Sequence, residues 1–318
     1  MDNETINILI ASDINYAPYY GVMLTSLFGC HEDESFNVFL LTDKTWTDAE
    51  TERFECLCAK HHSRFYVQIV DAEKLRNFPK SGHINLATYY NLNAANLLPS
   101  TIHRVIYMDG DMIVNGDIRP LWELDLKGNV CAMVPNCTYF DQSFYDRLGY
   151  ESKWGYYNNG TTVYDLDYLR EMNFADKAMR LIEESPEKIK WMDQDAQNIL
   201  LHEKILSLPF EYNFQTLFFD ACKWDTYTES FKHEILSAAE RPVVVHYNGW
   251  LKPWHYRYYK MPYGKMWKDV CRKSAWSDAP IKTPIVDYAK HLIKRVIKPR
   301  ELMRFRNKEF IKESLRFS

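Results

Sequence analysis

Two carboxylates separated by one glycine, Asp109-Gly110-Asp111, follow a short apolar run, Val105 to Met108, and precede a second, Met112 to Val114. An apolar run of this length reads as a buried strand. Acids at the carboxyl end of such a strand stand at the mouth of an α/β sheet, where ligands of these sheets bind. Two carboxylates this close repel each other unless a cation neutralises them. A hard divalent ion with oxygen ligands, itself holding a diphosphate, is the economical solution. Gly110 would let the backbone approach that ligand closely. The plainer alternative is a surface turn, since Asp-Gly-Asp is also turn chemistry.

Three later stretches carry polar groups at the ends of apolar elements. GYYNNGTTVY, residues 155–164, places Asn158 and Asn159 before an expected strand. MDQDAQNILL, residues 192–201, is a helix with a polar start, and VVVHYNGWLKPW, residues 243–254, is a strand running into a His-Tyr-Asn-Gly loop. Each has an ordinary explanation on its own: a turn for Asn-Asn-Gly, a helix N-cap for Asp193 with Asp195 in the first turn, a satisfied core histidine for His246.

The elements that must hold these groups alternate. Ile6 to Ala11 reads as a strand, Ala17 to Phe28 as a helix, Val38 to Leu41 as a strand, Asp48 to Cys58 as a helix and Phe65 to Val70 as a strand. Ala87 to Leu98 reads as a helix stopped by Pro99, and Val130 to Val134 as a further strand. Alternating β and α predict an open α/β sheet of the nucleotide-binding kind. The loop after the first strand, Ser12-Asp13-Ile14-Asn15-Tyr16, has neither Gly-x-Gly-x-x-Gly nor a P-loop lysine, which disfavours a Rossmann dinucleotide site and a Walker ATPase.

Composition sets the outer bounds. A chain of 318 residues, 46% hydrophobic, can bury a large core. No apolar run approaches the roughly 20 residues of a membrane span, and the acidic MDNETINILI start enters a strand directly, so a cytoplasmic protein is expected. Seven scattered cysteines (30, 56, 58, 131, 137, 222 and 271) with no Cys-x-x-Cys pair read as free thiols. The net charge of −4 hides an asymmetry: from Lys290 onward there are ten Lys/Arg and three Glu, leaving 29 basic and 40 acidic side chains before it. The organisation expected is a domain over residues 1–280 and a basic amphipathic tail over 281–318.

Taken in order, IASDINY, YMDGDMIV, YYNNG, MDQDAQN and HYNGWLKPWH resemble the retaining glycosyltransferases of family 8, which include bacterial lipopolysaccharide galactosyl- and glucosyltransferases and, more distantly, glycogenin. The resemblance spans roughly residues 5 to 260. It implies a GT-A type, Rossmann-like mixed sheet flanked by helices, with the basic helical tail appended. It further implies Mn2+, with Mg2+ as a substitute, held by Asp109, Asp111 and His246; carboxylate with imidazole suits that ion. Gly249 and Lys252 match diphosphate contacts, and Ala11, Asp13, Asn15 and Tyr16 match the uridine site. Asn158, Asp193 and Gln194 match donor-sugar contacts, for which groups that both donate and accept are suitable. Gly110 falls in the donor site as well. His83, in GHINLATYY, matches an element lining the family's active site, and Trp250 joins it with Asn136 as an acceptor-site candidate.

Two positions depart from the family pattern. Asn91 stands where an arginine that helps bind donor is common, so a charge-assisted contact becomes a neutral one. Asn136 stands where a relative has an aspartate near the acceptor, so the acceptor does not carry over. The implied reaction moves a hexose from UDP-glucose or UDP-galactose to a hydroxyl of a glycan or lipid-linked sugar, with retention; no nucleic acid partner is expected. A double displacement needs a carboxylate nucleophile, and the matching position holds Gln194. Same-face attack is therefore expected, with Asp195 next door as the residue to test for a covalent role. The rival readings are a self-glucosylating primer, which would gain hexose mass, and a non-catalytic UDP-sugar binding protein, which would bind without turnover. In the tail, Leu292, Ile293, Val296 and Ile297 form an apolar stripe among Lys290, Lys294, Arg295 and Lys298, and residues 288–318 are expected to lie on anionic membrane on the cytoplasmic face. Packing of that tail on the acidic body is the alternative.

Overall fold

A computed structural model describes residues 5–79, 86–249, 251–255 and 261–279. His83, Trp250 and the basic segment 288–318 lie outside the described residues, and the expectations placed on them stay there.

Seven strands form the main sheet: β1 (Ile6–Ala11), β2 (Phe36–Thr42), β3 (Arg64–Ile69), β4 (Arg104–Met108), β6 (Cys131–Pro135), β7 (Tyr157–Asp165) and β8 (Ile205–Ser207), in the order β3-β2-β1-β4-β7-β6-β8. The β1, β2, β3 and β4 strands pair in parallel, β7 runs antiparallel to both β4 and β6, and β8 is parallel to β6. Successive residues of β1 go to opposite layers: Ile6, Ile8 and Ile10 join the core under helix α1 (Ala17–Cys30), while Leu9 and Ala11 join the core under the helices of residues 86–98 and 166–201. Burial on both faces is why β1 reads as a continuous apolar run rather than an alternating one.

A small second sheet holds the other half of the site. Strand β5 (Met112–Val114) follows Asp111, and β10 (Val244–His246) pairs antiparallel with it, His246 opposite Met112. Strand β9 (Phe214–Gln215) completes this sheet, parallel to β10. Within the described residues no helix is long and apolar enough to cross a membrane, and the cysteines with described side chains are free thiols.

Two local readings change. The Ala87–Leu98 stretch is not one α-helix but a 3-10 segment, Leu86–Asn93, followed by one α-turn, Ala94–Leu97. Asn158 and Asn159 lie inside β7 rather than before it. The pairing of β7 with β6 shifts register there, Met133 facing Thr162 but Val134 facing Asn158. The residues between are released from that ladder, and the bulge aims the asparagines at the site.

Candidate active site

The carboxyl end of β4 and the end of β10 meet. The Asp109 backbone N–H donates to Gly160 O at 2.8 Å, extending the β4–β7 pairing by one residue, and the Tyr247 N–H donates to Asp111 O at 2.9 Å, extending β5–β10. These two bonds hold the acidic pair against the histidine. His246 Nε2 stands 3.4 Å from Asp111 Oδ1 and 3.8 Å from Asp109 Oδ2. One ligand atom from each of Asp109, Asp111 and His246 lies within 4.8 Å of the others. The Lys252 ammonium is paired with Asp111 Oδ2 and donates to Tyr247 O at 2.8 Å. Gly249 has a φ of +89°, the left-handed region that a glycine adopts at no steric cost. The requirement at Gly110 is packing as well as approach: a Cβ there would stand 2.8 Å from the Tyr20 ring.

The two acids are electrostatically unequal. Burial and then the Asp111 charge push Asp109 up to about 6, although its Oδ1 accepts the Tyr107 hydroxyl at 2.7 Å. Burial acts on Asp111 too, but Lys252 and His246 outweigh it and hold this carboxyl well below the usual range. The donor set, two oxygen anions and an imidazole nitrogen at the mouth of a sheet, fits a divalent ion of the Mn2+ or Mg2+ type.

Beside this cluster, the helix Met192–Leu201 presents Asp193 and Gln194. Asp193 caps no helix. It is 8% exposed, and its Oδ2 accepts the side-chain amides of Asn91 at 2.7 Å and Asn159 at 2.5 Å. Burial and then the Asp109 charge push it up to about 7. Asn91 Oδ1 is buried with no hydrogen-bond partner. Gln194 Oε1 accepts from Asn158 Nδ2 at 2.8 Å and its Nε2 donates to the Tyr156 hydroxyl at 2.7 Å.

Asp195 has no accessible surface. Its Oδ2 accepts Arg147 Nη1 at 2.7 Å and the backbone N–H groups of Lys190 at 2.8 Å and Trp191 at 2.7 Å. Its Oδ1 accepts Arg147 Nη2 at 3.1 Å and the Tyr156 hydroxyl at 2.7 Å. The pair with Arg147 therefore ties down the turn from which the helix starts.

The remaining expected residues fall at two other places. Ala11, Asp13, Asn15 and Tyr16 sit at the carboxyl end of β1, the parallel neighbour of β4, beside the acidic pair. Asp13 accepts Tyr16 N at 3.1 Å and Asn15 Nδ2 at 3.3 Å, a turn that fixes the loop. The Tyr16 ring meets Trp254 edge-on at 5.8 Å, and Trp254 itself is core, stacked on Tyr19 at 3.8 Å. Asn136 is buried at the end of β6, where its Oδ1 accepts Thr138 N at 2.9 Å and Thr138 Oγ1 at 2.8 Å.

Tyr107, Arg147, Tyr156 and Asn213 were missed from sequence. Asn213 lies in the aromatic-rich stretch FEYNF, residues 210–214, and is fully buried; an amide among three aromatic residues gave no clear sign of its role.

The pattern that defines "Glycosyl transferase family 8" matches residues 7–257. The chain is similar to a lipopolysaccharide 1,2-glucosyltransferase of Escherichia coli K12, 28% identical over 87% of this chain and 80% of that protein. It is also similar to general stress protein A of Bacillus subtilis, 27% identical over 80% and 88%, and to a lipopolysaccharide 1,3-galactosyltransferase of Salmonella typhimurium, 24% identical over 92% and 86%. Among solved structures, the galactosyltransferase LgtC, in complex with donor and acceptor sugar analogues, superposes with a TM-score of 0.78 at 21% identity, covering 86% of this chain and all of that one. The fold is thus that of a GT-A enzyme. The match covers most of the chain, including the strand ends that gather Asp109, Asp111 and His246, and this protein is a member of glycosyltransferase family 8.

Proposed function

We propose that this transferase moves glucose or galactose from its UDP-sugar to a hydroxyl of a glycan or lipid-linked sugar, metal-dependently and with retention at the anomeric carbon. The observation that carries the reading is the convergence of Asp109, Asp111, His246 and Lys252 from two sheets on one point, with Asp193 and Gln194 beside it. Mn2+, or Mg2+ in its place, would be held by Asp109, Asp111 and His246 Nε2 and would supply Lewis-acid stabilisation of the departing diphosphate. The names of the lipopolysaccharide glucosyl- and galactosyltransferases support a lipopolysaccharide-type acceptor.

The chain's own residues divide the work. Ala11, Asp13, Asn15 and Tyr16 line the end of β1 for the uridine, Tyr16 offering a ring and Asp13 an acceptor. Lys252 opposes the negative charge that grows on the leaving diphosphate, and an interaction that strengthens in the transition state is one that accelerates the step. Asn91, Asn158, Asp193 and Gln194 read the hexose. The partnerless Asn91 Oδ1 supports this, because a buried acceptor left unsatisfied costs about 1–3 kcal/mol, and a sugar hydroxyl would satisfy it. Asp195, with five donors on its two oxygens, lacks a free lone pair directed at a sugar, and Gln194 is a poor nucleophile. Both facts favour same-face attack, in which the leaving phosphate oxygen accepts the acceptor's proton.

The test is a panel of UDP-glucose, UDP-galactose, UDP-N-acetylglucosamine and UDP-glucuronate scored for Mn2+-dependent UDP release. The reading requires release with a UDP-hexose that chelator abolishes; binding of UDP without release from any donor would replace it with a non-catalytic role. For residues 288–318 we propose peripheral contact with anionic membrane, placing the site beside a lipid-linked acceptor at the cytoplasmic face.

A further inference from the structure

We infer that Asn213 is a positioning residue that sets the tautomer of His246, keeping Nδ1 protonated and the Nε2 lone pair turned toward Asp109 and Asp111. A proton count along a buried chain of hydrogen bonds leads there. A backbone N–H can only donate, so the Asn158 atom 3.1 Å from Gly160 N is an oxygen. The same oxygen lies 2.7 Å from an Asn213 side-chain atom, which must then be the amide nitrogen. The other end of Asn213 is therefore its carbonyl oxygen, and it lies 2.9 Å from His246 Nδ1. A carbonyl accepts only, so Nδ1 carries the hydrogen.

The opposite end of the chain gives the same answer independently. Tyr156 lies 2.7 Å from the Asp195 carboxylate that Arg147 holds, so its hydroxyl donates there. The Gln194 atom 2.7 Å from Tyr156 Oη must then donate and is nitrogen, which turns Gln194 Oε1 toward Asn158 Nδ2 at 2.8 Å. Both anchors thus demand one orientation of Asn158. The hydrogen bonds run in a single direction, from His246 through Asn213, Asn158, Gln194 and Tyr156 to Asp195.

The arrangement matters because, left to itself, His246 would prefer the other tautomer. An Nε2–H could donate to Asp111 Oδ1, 3.4 Å away, whereas an Nε2 lone pair facing two carboxylates gains nothing from them. Asn213 overrides that local preference. Gly160 makes room for the ring: a Cβ there would stand 2.6 Å from His246 Cε1. This inference takes its purpose from the metal-binding reading, but the tautomer itself is measurable with no metal present.

The experiment is long-range proton–nitrogen correlation of the imidazoles in metal-free, histidine-labelled full-length protein at about pH 9, above the ordinary histidine range, with His246→Gln identifying the signal. The expected result is an Nδ1–H imidazole in the wild type and an Nε2–H imidazole in Asn213→Ala. Tyr156→Phe should leave the wild-type tautomer in place, because Gly160 N–H still pins Asn158. An Nε2–H or a protonated ring in the wild type overturns the proposal, and so does loss of Nδ1–H in Tyr156→Phe. An Nδ1–H imidazole that persists in folded Asn213→Ala overturns the role of Asn213; should that variant misfold, the wild-type spectrum can still refute the proposal. Mn2+ affinity, measured separately, should fall roughly 10- to 100-fold in Asn213→Ala. A wild type that binds no Mn2+ would reject the metal reading and leave the tautomer result standing.

Discussion

Replacing Asp193 with asparagine should stabilise the protein at neutral and alkaline pH and give no gain in acid. Burial and then the Asp109 charge disfavour ionisation of Asp193 and push it up to about 7 in the fold, against 3.8 for an unperturbed carboxyl. The sign follows from proton counts. Below pH about 4 both folded and unfolded chains hold the proton, and the group is neutral to stability. Between about 4 and 7 the unfolded chain ionises while the fold keeps its proton, so stability falls as pH rises; above 7 both are ionised and the cost is full and constant. A difference of about three pH units corresponds to about 4 kcal/mol. The substituted amide would keep one oxygen for Asn91 Nδ2 and Asn159 Nδ2, now 2.7 and 2.5 Å from Asp193 Oδ2, but it brings a new NH2 donor into a buried place, which costs about 1–3 kcal/mol where it finds no acceptor. A net gain of about 1–3 kcal/mol at pH 8 is expected once the cost of burying that donor is taken off. In a chain this large that is a rise of a few degrees in Tm. The assay is thermal unfolding of both proteins with chelator present from pH 4 to 9. If the stability difference between the Asp193→Asn variant and wild type does not grow as pH rises from 4 to 8, the burial argument fails. Turnover should collapse in the same variant, since a site tuned for function is held at a cost to the fold.

Other perturbations separate the remaining roles. Asp111→Asn should remove most turnover and leave the fold intact, because one hard anionic ligand is lost; near wild-type rates with chelator present would refute it. Lys252→Ala should lower kcat more than it raises KM, and an unchanged kcat with only a raised KM would confine Lys252 to ground-state binding. Arg147→Met should cost about 3–5 kcal/mol in urea unfolding, because it leaves the Asp195 carboxylate buried and uncompensated; a loss below about 1 kcal/mol would show that the pair is not what holds the turn. Truncation after Pro284 should abolish salt-sensitive binding to anionic vesicles while UDP-sugar hydrolysis in solution persists; an intact protein that ignores such vesicles at low salt would make the tail structural.

Much of the active centre was legible because its chemistry is written in short runs. Asp109-Gly110-Asp111 follows a strand, and His246 and Lys252 sit six residues apart in a single segment; residue type alone left a turn and a core histidine open, and the order of the motifs, through the resemblance it carries, picked out the residues that the fold brings together. The supporting groups were not legible, because their meaning comes from partners distant in sequence. Arg147 is an unremarked surface-type residue until Asp195 is brought 2.7 Å from it. Asn213 has a role only between Asn158 and His246, which come from different sheets. The bulge in β7 was also hidden: Asn-Asn-Gly has turn chemistry locally, and pairing with β4 and β6 overrides it. The same competition explains the 86–97 stretch, where packing of Tyr89, Tyr90 and Asn91 into the core and the site replaces the regular helix expected from spacing.

The pairing of β5 with β10, His246 facing Met112, has a kinetic consequence. Closing a chain segment of about 130 residues between them carries an entropic penalty of about 4 kcal/mol beyond a constant. That closure entropy has to be met before the contacts across it repay it. We predict that the β5–β10 seam closes after the folding barrier, so that groups bridging Asp111 and His246 stabilise the enzyme mainly by slowing its escape from the native state. A divalent ion held as proposed should lengthen the lifetime of the folded enzyme and leave its refolding rate almost untouched, so that chelation would act as a release of the closed sheet rather than as a failure to build it; equal unfolding rates with and without chelator would refute this.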